Sequence, residues 1–245
     1  MEGPPLRVIA EELASFKDKR ILACSGNSKI DKECLRDQKV TKVFSWGKNL
    51  FLQFSQFSLK IHFLMFGSYR VNEEKKGAVP RLSLVFSKAT LNFYNCSVKL
   101  LGNAEVQLMC DDEIDIMSGK WSLKKVVGLM MNVRENLICD VLLDQKVFAG
   151  VGNIIKNETL FASKVHPMSI VGKVPKKDLE AVAQAAREFS KLFYDVVKKK
   201  KSLRPYLSIY GKKQCPDCGE RVTVRYTGNL KRKSYFCEIC QRLFA

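Results

Sequence analysis

Apolar residues near the start of the chain recur in two rhythms. Between Leu6 and Phe16 they fall at Val8, Ile9, Leu13 and Phe16, the spacing of one helical face, and Pro4-Pro5 stands where helices begin. Runs with strand character follow at 20–24, 40–45, 49–54, 58–63, 67–71, 81–86 and 89–94, separated by glycine and Ser-Lys turns. Many short strands in succession predict a sandwich or barrel, here closing near Asp111-Asp112. From Trp121 the period changes. Leu123, Val126, Val127, Met130 and Met131 predict one helix, 137–148 a second ending at Gly150, and Asn153–Ala162 a third. A long fourth helix opens at Pro175 and runs through Val197. The lysine run Lys198–Lys201 reads as a solvated helix end and linker.

The last stretch alternates again. Val222–Tyr226, a turn at Thr227-Gly228-Asn229, and Lys231–Phe236 make strand, turn and returning strand. Cys215-Pro-Asp-Cys218 precedes this hairpin and Cys237-Glu-Ile-Cys240 follows it, eighteen residues apart. Each CxxC puts two sulfurs on one tight turn, and the pair of turns closes a tetrahedron around one structural Zn²⁺. Two disulfides, or unrelated buried thiols, are the alternatives. The fold class is therefore α+β and multidomain, with boundaries expected at 1–115, 116–205 and 206–245.

Composition adds a partner. The formal net charge is +17, and Lys231, Arg232 and Lys233 crowd the hairpin tip, so a polyanion, nucleic acid first, is expected. Apolar residues make up 46% of the chain, enough for real cores. Of nine cysteines, the five outside the CxxC pairs are scattered, mostly among apolar residues, as in a reduced interior. Met1–Pro5 is not the start of a signal peptide, and no apolar run is long enough to span a bilayer. The expectation is an intracellular monomer, in cytoplasm or nucleoid, with no membrane partner and no small-molecule cofactor.

Four separated motifs, in one order, carry a resemblance over nearly the whole chain. They are Glu2-Gly3-Pro4, Ser45-Trp-Gly-Lys48-Asn-Leu50, Leu143-Asp-Gln-Lys-Val-Phe-Ala-Gly-Val-Gly-Asn153, and the four-cysteine hairpin with Arg232 five residues before Cys237. Together they resemble the formamidopyrimidine-DNA glycosylase / endonuclease VIII family of base-excision repair enzymes. The resemblance implies an N-terminal helix on a two-sheet β-sandwich, a helix-two-turns-helix domain, and a zinc-finger hairpin. It implies excision of oxidised bases from damaged DNA, with strand cleavage by β-elimination from a Schiff base on the N-terminal amine.

An α-amine titrates near 7.7–8.0 and a lysine near 10.4, so at neutral pH the terminus is the better nucleophile. Relatives place Pro or Val before Glu-Gly-Pro, exposed by removal of the initiator methionine. This chain has Met1 there, and Glu2 is too large a second residue for that removal, so Met1 itself is expected to supply the amine. The resemblance gives Glu2 the proton transfers, Lys48 a phosphate contact and a proton-transfer role in elimination, and Arg232 the clamp on flanking phosphates. Asn153 is expected to grip a phosphate or to cap its helix. The resemblance implies that Leu64, Met65 or Phe66 enters the gap left by a flipped nucleotide, against the plain reading of a core strand. His62 and His166 read as structural. The rival reading is a catalytically inactive, zinc-containing DNA-binding protein of the same fold.

Overall fold

Pro4 and Pro5 lie in the first turn of helix α1 (Gly3–Glu12), where their missing N–H groups cost nothing. The computed structural model describes residues 1–245. They form two units: Met1 with Leu6–Asp111, and Glu2–Pro5 with Asp112–Ala245.

In the first unit, strands β1 (Ala23–Ser25), β2 (Lys42–Trp46), β3 (Asn49–Gln53), β4 (Phe57–Val71), β5 (Leu82–Phe86) and β6 (Ala89–Gly102) make one antiparallel sheet in the order β1-β5-β6-β4-β3-β2. The expected strands 58–63 and 67–71 are the two halves of β4, separated by a register shift between Phe63 and Ser68. Gly67 permits the join: a Cβ there would lie 2.7 Å from the Asn95 carbonyl oxygen of β6. The first half of β4 pairs with β3, and the second half faces the part of β6 that pairs with β5. Leu50, Leu59 and Ile61 from one section and Leu82, Leu84, Leu91 and Phe93 from the other fill a single core with Leu6, Ile9 and Leu13. The two layers of the sandwich are thus two sections of one continuous sheet. Helix α2 (Asn103–Met109), which the periodicity did not mark, follows β6.

In the second unit, Ser122 caps α3 (Leu123–Met131), its hydroxyl accepting from the Lys125 N–H. The continuous helix expected over 137–148 is instead the single turn α4 (Ile138–Val141) followed by two turns. Side chains divert the backbone: Asp144 accepts from the Lys146 N–H at 2.9 Å, and Gln145 donates to the carbonyls of Leu143 and Val151. Such local bonds compete with the helical ladder. Gly150 then turns the chain at φ +101°, a conformation glycine adopts without penalty. Helices α5 (Asn153–Ala162) and α6 (Lys176–Lys198) follow, α6 burying Leu179, Val182, Ala183, Ala186 and Phe193. Strands β7 (Thr223–Thr227) and β8 (Arg232–Phe236) form the hairpin, with Thr227 opposite Arg232 and Tyr226 opposite Lys233. One hairpin face buries Thr227, Ser234 and Phe236; the other exposes Val224, Tyr226 and Lys233. No helix is long and apolar enough to cross a membrane.

Candidate active site and metal cluster

Lys48 occupies the two-residue turn between β2 and β3, where Gly47 takes φ +55° and Trp46 pairs with Asn49. Beside it is His62 of β4, whose Nδ1 lies 3.2 Å from Asn49 Oδ1. Burial holds the His62 imidazole below its usual range. The Lys48 backbone opposes that, and the positive charges of the N-terminal amine, Lys48 and Lys60 reinforce it. The terminal amine and Lys48 therefore share one electropositive neighbourhood in the first unit, centred on a histidine that the sequence marked only as structural. Elsewhere on β4, at the register shift, Leu64, Met65 and Phe66 are 46%, 71% and 85% exposed. Phe66 is held at φ +63°, which is uncommon for a non-glycine residue. These three side chains are not core.

In the second unit, Glu2 is held at both ends of its length. The Gly3 N–H donates to the Gly150 carbonyl at 2.8 Å. The Glu2 carboxylate accepts from the N–H groups of Ile154 at 2.7 Å and Ile155 at 3.3 Å. A helix N-terminus favours such an anion. The approach needs Gly152, since Glu2 Oε1 lies only 2.6 Å from where a Cβ at 152 would stand. Asn153 is consequently not the cap of α5. Gly152 holds that place without a side-chain bond, and the Ile154 and Ile155 N–H groups are taken by Glu2. The Asn153 amide turns to the hairpin, donating to the Lys233 carbonyl at 2.9 Å, while its Oδ1 is buried without a partner.

Three consecutive residues of α5 went unmarked in the sequence: Lys156, Asn157 and Glu158, all buried. Lys156 Nζ donates to Ser234 Oγ at 2.8 Å and toward the Lys233 carbonyl at 3.4 Å. Burial draws its pKa down to about 8. The thiol of Cys139 opposes this, Arg232 adds to it, and Asp140 and Glu2 oppose it. Asn157 Oδ1 accepts from the Tyr235 N–H at 2.7 Å. Glu158 accepts from three successive N–H groups, Ser208, Ile209 and Tyr210, at 2.7–3.0 Å. Asp140 accepts from Asn229 and Leu230 in the hairpin turn, at 2.8 and 3.3 Å. Together these fix the strand that presents exposed Arg232 against the helix that holds Glu2. The only advance signal was a Lys-Asn-Glu run inside an apolar helix, a pattern that by itself reads as a solvated face.

The four hairpin cysteines converge. Their sulfurs all lie within 4.8 Å of one another, with Cys215 to Cys240 at 3.8 Å and Cys218 to Cys237 at 3.5 Å. These are not disulfide distances. A tetrahedron with metal–sulfur bonds of about 2.3 Å has edges of roughly 3.8 Å, so the donor set fits a four-thiolate metal site. The Cys240 N–H points to Cys237 Sγ at 3.4 Å, supporting the ligand from behind.

Comparison with known proteins agrees with this architecture. Residues 2–97 match the formamidopyrimidine-DNA glycosylase N-terminal domain, and residues 122–203 match the formamidopyrimidine-DNA glycosylase H2TH domain. Endonuclease 8-like 3 of Mus musculus is 37% identical over 202 residues, covering 80% of this chain and 33% of the relative. Endonuclease 8-like 2 of Mus musculus is 34% identical over 199 residues, covering 75% of this chain and 57% of the relative. The chain thus spans about a third of the length of the first of these relatives. In fold it is similar to a viral DNA glycosylase, with a TM-score of 0.88 at 22% identity over 99% of this chain and all of the other. The LlFpg protein, solved with a THF-DNA and an inhibitor, gives a TM-score of 0.87 at 18% identity over the same shares. With the turns at 142–152, the capped helix α5 and the four-cysteine hairpin in place, the chain belongs to the formamidopyrimidine-DNA glycosylase / endonuclease VIII family.

Proposed function

We propose that the chain is a bifunctional DNA glycosylase and abasic-site lyase acting on oxidised bases, with damaged DNA as its partner. One observation carries this reading: the carboxylate next to the terminal residue is not a solvated surface acid. Two backbone N–H groups anchor it at the start of α5, placed to take and return protons.

The neutral amine of Met1 attacks C1′ of the damaged nucleoside, and the C1′–N bond breaks with its electrons going to the base, which leaves with the proton that the attacking nitrogen sheds. A proton on O4′, relayed by Glu2, lets the C1′–O4′ bond open to a protonated Schiff base. Loss of a C2′ proton then expels the 3′ phosphate and cuts the strand, and water hydrolyses the Schiff base to return the Met1 amine. Lys48 holds a phosphate and serves the elimination. Arg232 clamps the flanking phosphates, and the second hydrogen of the Asn153 amide adds a DNA contact. Leu64, Met65 and Phe66 fill the space vacated by the extruded nucleotide. Residues 1–115 supply catalysis, 116–205 the helical DNA-binding domain, and 206–245 the finger. Cys215, Cys218, Cys237 and Cys240 hold one structural Zn²⁺, which gives the hairpin its folding energy. We place the protein inside the cell, as a monomer.

The test is a panel of oligonucleotides bearing oxidised purines, oxidised pyrimidines or hydantoins, single- and double-stranded, incubated with the purified chain. Base release with strand cleavage on at least one lesion supports the reading. Tight binding with no release on any of them returns the inactive DNA-binding alternative.

A further inference from the structure

The outer face of the metal hairpin does no work in that reaction. On β7, Val224 and Tyr226 point to solvent, 48% and 70% exposed. Across from Tyr226, the Lys233 ammonium lies 5.6 Å from the centre of the phenol ring. Val224 continues this face into a groove of about 700 Å³ with Lys212, Lys213 and Arg221 among its walls. The groove is built by the backbone, since the Val222 N–H donates to the Lys213 carbonyl at 2.9 Å and Gln214 pairs with Arg221. None of the residues lining it is acidic. A largely exposed aromatic ring with a cation over one face, running into a trough of cations, matches what unpaired nucleic acid needs: a surface for a base and a track for phosphates.

We propose that this face binds a single-stranded stretch of nucleic acid, one base stacking on Tyr226 while its backbone runs through the groove along Lys212, Lys213 and Arg221. The charge complementarity selects a polyanion, and the exposed ring selects one that carries flat aromatic groups. An acidic peptide satisfies the first condition only. A duplex keeps its bases stacked on one another and has no free face to offer. The inference rests on the proposed function in taking nucleic acid as the partner, but it concerns a surface apart from Glu2, Lys48 and Arg232.

Fluorescence anisotropy of the metal-loaded chain tests it, with a labelled undamaged single strand, the same strand as a duplex, and a strand of tetrahydrofuran spacers that has phosphates but no bases. Tyr226→Ala is expected to weaken binding to the normal single strand about tenfold, a typical loss for one stacked base. Tyr226→Phe, which keeps the ring, should stay within about twofold. Neither variant should change binding to the duplex or to the baseless strand. A Lys212→Ala, Lys213→Ala, Arg221→Ala triple variant should make the single-strand salt dependence shallower by about two, from roughly 0.7 per lost phosphate contact. Single-strand affinity indifferent to Tyr226→Ala overturns the proposal. So does an equal loss on duplex and single strand, or displacement of the strand by polyglutamate with no dependence on Tyr226. Borohydride trapping on lesion duplex separates the two readings. Wild-type protein that traps but shows no Tyr226 effect sinks only this inference, and protein that shows the effect but never traps sinks only the glycosylase reading.

Discussion

Gly152→Ala tests the site with a single methyl group. The added Cβ would stand 2.6 Å from Glu2 Oε1, with the two carbons behind that oxygen nearer still, whereas ordinary contact begins at 3.4 Å. The carboxylate therefore has to recede by about 0.8 Å or more, and its bonds to the Ile154 and Ile155 N–H groups stretch or break. Gly152 itself has φ −122°, so alanine meets no backbone strain, and the clashing atoms belong to a flexible side chain that can yield. Stability should thus fall by no more than about 3 kcal/mol, the scale of one charge-assisted hydrogen bond. Activity should fall much further, because a misplacement near 1 Å costs on the order of a hundredfold. Single-turnover base excision on a lesion duplex, with affinity measured in parallel, reads the difference. The expected result is a rate loss of tens- to a hundredfold at nearly unchanged affinity. A full excision rate in Gly152→Ala, or a rate loss matched by an equal loss of folded protein, would refute the claim that Glu2 acts from this position.

Other outcomes follow from the same geometry. If Arg232 meets phosphates rather than bases, as proposed, Arg232→Ala should weaken damaged and undamaged DNA alike and make the duplex salt dependence shallower by about one; an unchanged slope would mean a different residue at the tip holds the strand. Cys237→Ser should release the metal and melt the hairpin while the β-sheet unit stays folded, which metal analysis and far-UV spectra would report. Lys156 has a folded-state pKa of about 8, below its usual 10.5, so above pH 8 the unfolded chain binds more protons and stability from this group rises with pH up to about 10.5. Melting curves of wild type and Lys156→Met should therefore shift relative to each other, wild type gaining as pH rises from 7 to 10; parallel curves would show that the lysine is not held in a desolvated site.

Much of the fold was legible because local chemistry decides it. The CxxC spacing, the strand-turn-strand between the pairs and the helical period from Leu123 all depend on near neighbours in sequence. The extended helix over 137–148 failed because Asp144 and Gln145 offered the backbone side-chain bonds that apolar periodicity does not register. The fusion of 58–63 with 67–71 was hidden for a similar reason: Gly67 looks like a turn but serves a close approach of β6. At the candidate site, Glu2 and Arg232 could be proposed from the sequence, but the residues that pack around them could not. Lys156 and Glu158 are buried only because residues about fifty to eighty positions later fold over them, and no local pattern encodes that. The exposure of Leu64, Met65 and Phe66 was open for the same reason, since an apolar run reads as core until the bulge pushes it outward.

The central claim is that the amine of Met1 forms the covalent link to DNA. Borohydride reduction of the reacting complex, proteolysis and mass spectrometry of the adduct test it directly. The expected result is a stable protein–DNA species whose modified peptide begins at residue 1, lost when the amine is acetylated or extended by a tag. An adduct on Lys48 or another lysine, or a tagged protein that traps and cleaves at full rate, would contradict it.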